Sequence, residues 1–334
     1  MSEKKISTRQ LIIFYAIFSF ALKFLSVPKL LATTVGTDAW ISAIISTVIE
    51  LLVLFLALNI LVMGKRSKIV LPFMLAMFFL QMVVIIGASH SLVTRHLFHE
   101  MRLQTFLIPL VLFGMAFAFV SARAIFRSGE IFYLLIIIGL ALSIFPVIPR
   151  IQVSQMTPVG SSGFGSIVSS VFRNLIFFES ASFLLIFSGD IKVSKDFRKK
   201  FMTIASVIGV VFVAFVFIAI SVFGPLAMYK DNAIVDLAVR RMDMIVVCVW
   251  LILLMLRFGV TFHAAFVCIR YLFNIKKYPR IIGIFMAVAL WAVWTFAGGN
   301  FINHLATHII IAVLVFIIPI LCLIGRRSKD EKHA

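Results

Sequence analysis

Long apolar runs recur along this chain, parted by short polar stretches, and ten of them reach the length of a bilayer crossing. About 20 apolar residues span a hydrocarbon core of about 30 Å at 1.5 Å per residue. In lipid every backbone polar group has to be bonded internally, so runs of this kind are helices. The pattern predicts spans at 11–31, 38–63, 69–92, 104–121, 131–148, 165–189, 201–227, 243–272, 281–298 and 306–325. The chain therefore reads as a single all-α polytopic membrane protein. Its 63% hydrophobic content and mean hydropathy of +1.15 agree.

Charge adds an orientation. Of the lysines and arginines, 21 fall in the two tails and in the loops after even-numbered spans, against 7 in the loops after odd-numbered spans. Basic residues collect on the cytoplasmic side, so both termini are expected there. The net charge of +18 is spread over short loops. That suits anionic lipid headgroups and excludes a nucleic-acid partner, because no soluble region is long enough to fold a basic face.

The first span is longer than a signal-peptide core and is read as retained. Cys248, Cys268 and Cys322 fall in spans and read as small apolar residues. His99-Glu100 lacks a second histidine at metalloprotease spacing, and no nucleophile elbow or phosphate-binding Gly-Lys-Ser/Thr loop occurs. His304 and His308 share a helix face, but without a neighbouring carboxylate or thiol they read as interfacial. No enzyme, metal or cofactor is expected.

Two spans read as broken helices. Ser26-Val27-Pro28 interrupts the first, because proline removes a backbone donor. The sixth begins with the Gly160–Ser166 stretch and holds Phe177-Phe178-Glu179-Ser180-Ala181-Ser182 deeper in. Ten helices divided into halves at about 11–148 and 165–325 would have opposite topology. Broken helices at matching positions of inverted repeats point to a mid-membrane site in secondary transporters.

Ionisable groups at that depth sharpen the expectation, since each costs at least about 2.5–3.5 kcal/mol in a bilayer. Lys23, Glu50, Glu179 and Arg257 all fall near the middle of spans. Two readings stay open. In one, Lys23 or Arg257 meets the carboxylate of a zwitterionic substrate and Glu179 meets its amino group, with Ser26, Phe178 and Ser180 alongside. Glu50 or Glu179 then serves as an ion- or proton-coupling group. In the other, the four form structural bridges, such as Lys23 with Glu179 and Glu50 with Arg257. His263, His90 and Gln81 read as packing polars, and Phe177 and Phe178 as possible gating residues.

Several stretches, in order, resemble the B-subunit family of spore germinant receptors, a branch of the amino acid–polyamine–organocation transporter superfamily. They are Ile6-Ser7-Thr8-Arg9-Gln10-Leu11, Thr37-Asp38-Ala39-Trp40-Ile41, Ser121-Ala122-Arg123 through Arg127-Ser128-Gly129-Glu130, Phe178-Glu179 with its apolar run, and Arg241-Met242-Asp243 with Trp250. The likeness runs from about residue 6 to 326.

The resemblance implies a LeuT-type bundle with a 5+5 inverted repeat and a site between helices one, six and eight. It implies a subunit that senses an amino acid or similar nutrient in the inner spore membrane and signals to A and C partner subunits. A proton- or cation-coupled amino-acid permease and a scaffold subunit without ligand binding are the alternatives. Family members usually carry glycine in the helix-one break and before the helix-six glutamate. Here those stretches read Phe20-Ala21-Leu22-Lys23-Phe24 and Phe177-Phe178-Glu179, and Gly189-Asp190 replaces a proline near the end of helix six. A subunit with an altered ligand range, or none, stays open.

Overall fold

A computed structural model describes residues 6–62, 70–175, 180–188, 191, 196–238, 242–275, 279–297 and 305–330. Helices occupy all ten expected spans. They are α1 (Thr8–Val35), α2 (Ala39–Val62), α3 (Leu71–His96), α4 (Leu103–Phe119), α5 (Ala122–Ile144), α6 (Phe164–Asn174), α7 (Ser180–Ile186), α8 (Phe197–Phe223), a short α9 (Ala233–Asp236), α10 (Asp243–Leu272), α11 (Pro279–Ala297) and α12 (Leu305–Asp330). Among the described residues, five helical stretches are long and apolar enough to cross a bilayer: Thr8–Leu61 (which holds α1 and α2), Leu71–His96, Ala122–Arg150, Phe197–Tyr229 and Asp243–Leu272. Leu103–Phe119, Ile281–Trp294 and Ile310–Cys322 are shorter apolar helices. The protein is a multi-pass all-α membrane protein.

Helix ends follow from local chemistry. At the start of α1, Gln10 N–H donates to Ser7 Oγ at 3.3 Å while Ser7 N–H donates to Gln10 Oε1 at 3.2 Å. This capping box satisfies two of the amides that a helix start leaves over. Gly36, with φ of 55°, ends α1 in a conformation that favours glycine. α5 begins nine residues before the expected span because Ser121 caps it, accepting from Ala124 N–H at 3.4 Å. Arg123 and Arg127 thus lie in its first turns.

One expectation is overturned. The first span is not broken: α1 runs through Pro28 as one helix of 28 residues. Proline removes one donor only, and the surrounding Leu25, Val27 and Leu31 are fully buried, so packing holds the turn together. In the sixth span, α6 ends at Asn174 and α7 begins at Ser180, with Ser180 to Ser182 within α7. Residues 177–179 lie outside the described residues.

α1 and α10 form the centre. α1 packs against α2, α3, α5, α6, α7, α8 and α10, and α10 also against α3, α4 and α5. Phenylalanines fill the seams between α1, α5 and α7: Phe183 stacks on Phe14 with ring centroids 5.6 Å apart, and lies tilted against Phe18 at 4.6 Å.

Candidate functional site

Lys23 on α1 and Glu50 on α2 form a buried ion pair, with the ammonium donating to Glu50 Oε2. The geometry of the first hairpin explains the match. Lys23 stands 13 residues before the Gly36–Asp38 turn and Glu50 stands 12 after it. Both are therefore about 18–20 Å along their helices from the same turn. Lys23 Nζ also lies 5.9 Å from the centroid of the Phe212 ring of α8.

Arg257 enters from α10 and is fully buried. Its Nη1 donates to the Phe18 carbonyl of α1 at 2.5 Å, and its guanidinium carbon sits 5.1 Å from the Phe18 ring centroid. Lys23 and Glu50 thus pair between α1 and α2, and Arg257 ties α10 to α1 five residues before Lys23. The bridge that the sequence suggested between Glu50 and Arg257 is replaced by Lys23 with Glu50. Adjacency in the first hairpin decides this. Ser26 is half-buried one turn further along α1, and Ser180 is buried at the start of α7. Phe177, Phe178, Glu179 and His304 lie outside the described residues.

The packing polars fall as expected. His263 Nδ1–H donates to the Phe117 carbonyl at 3.0 Å and its ring stacks on Phe187. His90 Nε2–H donates to the Met101 carbonyl at 3.2 Å.

Two features went unread in the sequence. The first is a clasp at the end of the bundle opposite the α1 start. Asp38, fully buried, accepts from Gly160 N–H at 2.7 Å, Ser162 N–H at 3.0 Å and Ser162 Oγ at 2.7 Å. The stretch before α6, flexible by composition, is thereby fastened to the turn between α1 and α2. The signal was an acidic residue at a helix start with no basic neighbour nearby. The second is Asp231, whose carboxylate pairs with Lys29 of α1 and Arg95 of α3. At the same place Asn232 Nδ2 lies 3.2 Å from His96 Nε2.

At the opposite end, Arg9 Nε stands 3.8 Å from Glu130 Oε1, tying the start of α1 to α5. Ile6 bridges Ile191 beside it. The two residue stretches that resemble a germinant-receptor family at 6–11 and 121–130 therefore meet in space.

Residues 5–302 match the family model of the spore germination protein, a spore permease type. The chain belongs to that family. The match takes in α1 to α11, so the central charges, the Asp38 clasp and the Asp231 pairs all lie within the spore germination protein region. It is a family of germination membrane proteins and not of enzymes. A search of curated proteins returns no match.

Proposed function

We propose that this spore germination protein is the nutrient-sensing subunit of a germinant receptor. The observation that carries the reading is the family match along 5–302, on a bundle whose centre keeps Lys23, Glu50 and Arg257 buried. Charges at that depth are costly unless paired or used. The nutrient is a small zwitterion such as an amino acid. Its carboxylate meets Arg257 or Lys23, and its amino group meets Glu179, with Ser26, Phe178 and Ser180 around it. Glu179 is the ion- or proton-responsive group, since Lys23 already holds Glu50. The halves at 11–148 and 165–325 form a LeuT-type inverted repeat whose first helix is unbroken, and both termini face the cytoplasm. That places the Asp38 and Asp231 end outside, toward incoming nutrient. A nutrient that binds one arrangement better than another shifts the bundle toward it. A and C subunits in the inner spore membrane read that shift.

The pairing of Lys23 with Glu50 favours sensing over permeation. An internal ammonium already neutralises the carboxylate that a coupling cation or proton would otherwise serve. The experiment is a panel of labelled L-amino acids on purified protein in sealed proteoliposomes, with an imposed pH gradient. Saturable binding without accumulation is the expected result, and Glu179→Gln abolishes it while protein remains in the membrane. Accumulation that collapses with the gradient makes the protein a permease. Absence of both signals, in the presence of the partner subunits too, leaves the scaffold role.

A further inference from the structure

We infer that one face of α1 lines a polar path from the outer end of the bundle to the Lys23–Glu50 pair, and that Asp231 latches its mouth. At 100° per residue, Tyr15, Ser19, Lys23, Ser26, Lys29 and Thr33 fall within about 120° of the helix circumference, an arc they share with Leu22 and Leu30. Their exposure declines steadily inward. Thr33 is exposed, Lys29 and Ser26 are half-buried, and Lys23, Ser19 and Tyr15 are buried. α1 is packed by helices on many sides, so the open part of this face looks into a cleft rather than at lipid. A polar stripe of this length turned toward hydrocarbon would be costly.

The latch crosses that face where it opens. Lys29 belongs to the stripe, Arg95 ends α3, and the Asp231 carboxylate holds both. Side-chain exposure is 36% for Lys29, 52% for Arg95 and 13% for Asp231. Ion pairs with partners this exposed are weak and screened by salt, so they break without great cost. The Asp38 clasp is of the other kind, with a fully buried carboxylate that is multiply bonded. When the mouth opens, Asp38 keeps the α1–α2 turn and the approach to α6 together while Asp231 lets go of α1 or α3. The path takes a small polar solute, and a carboxylate on that solute competes with Asp231 for Lys29 and Arg95. The inference concerns access and holds whatever the nutrient is.

The test uses a reporter cysteine, Ser26→Cys, with Cys248, Cys268 and Cys322 replaced by serine, in the full chain in nanodiscs. The probe is a negatively charged methanethiosulfonate, with no nutrient present. A second reporter, Ala57→Cys, sits at a fully buried site of α2 and reads global unfolding. Asp231→Asn, and separately Lys29→Gln with Arg95→Gln, are expected to raise labelling at position 26 roughly tenfold, as loss of two partly exposed ion pairs implies. Asp231→Glu keeps the native rate, and higher salt speeds labelling in the native background only. Unchanged labelling at 26 in both latch variants overturns the inference. So does fast labelling at both reporters in every variant, since the ion pairs would then hold the fold rather than a mouth.

Discussion

The Lys23 ammonium on α1 donates to the Glu50 carboxylate on α2, and both groups are buried. Removing one partner leaves the other charge uncompensated, which costs roughly 3–5 kcal/mol for a buried pair. Lys23→Met is therefore expected to lower the thermal unfolding temperature sharply in detergent. Lys23→Met combined with Glu50→Gln is expected to recover more than half of the loss, because no lone charge remains. An additive double variant would show that the two residues do not act as a pair.

Asp38 supplies the acceptors for two backbone amides before α6. Asp38→Ala releases both, Gly160 at the surface and Ser162 half-buried, and should cost roughly 1–3 kcal/mol. Hydrogen exchange gives a local check. Protection should fall at Gly160 and Ser162 before it falls in α10. Uniform loss of protection across the bundle would contradict a local clasp.

Gly209 lets α8 approach α2. A Cβ at that position would stand 2.5 Å from Cγ2 of Thr47. Gly209→Ala should destabilise the protein by roughly 1–3 kcal/mol, as overpacking does. Thr47→Ser removes the colliding methyl, so the double variant is expected to approach native stability. Unfolding midpoints of the four proteins in one detergent decide it.

Asp236 on α9 lies outside the long spans, and burial raises its carboxyl above the usual 3.8, with the charges of Lys230, His96 and Arg95 opposing the shift in part. A folded-state value raised above the unfolded one means that the folded protein holds the proton more tightly. Stability is then fully retained below 3.8 and declines as pH rises through the raised value. Asp236→Asn should therefore raise the unfolding temperature at pH 7 and leave it unchanged at pH 3. A variant less stable than native at pH 7 would show that the attraction to Lys230, His96 and Arg95 outweighs desolvation.

Spans were legible because hydropathy reports the lipid interface directly. The run 243–272 coincides with α10 to the residue. Helix ends made of polar residues were not legible in this way. The first turns of α5 carry Arg123 and Arg127 and look like loop until Ser121 is seen as their cap. Pro28 misled in the opposite direction, since one lost donor does not stop a helix walled in by neighbours. Depth along each span brought out Lys23, Glu50 and Arg257. Their pairing needed the equal distance of Lys23 and Glu50 from one turn, a count the sequence contains but hydropathy ignores. Asp38 and Asp231 escaped because their partners lie more than 60 residues away and share no periodicity with them.

The separation of partners along the chain also orders events at biosynthesis. Lys23 and Glu50 are 27 residues apart within one hairpin, so the first two helices can leave the translocon with their charges already neutralised against each other. Asp38 has no such neighbour. Its amide partners are 122 and 124 residues downstream. At about 5–20 residues per second, they emerge roughly 6–25 s later. Throughout that interval the carboxylate has to stay at the water interface, which pins the first hairpin in place until the sixth span arrives to cover it.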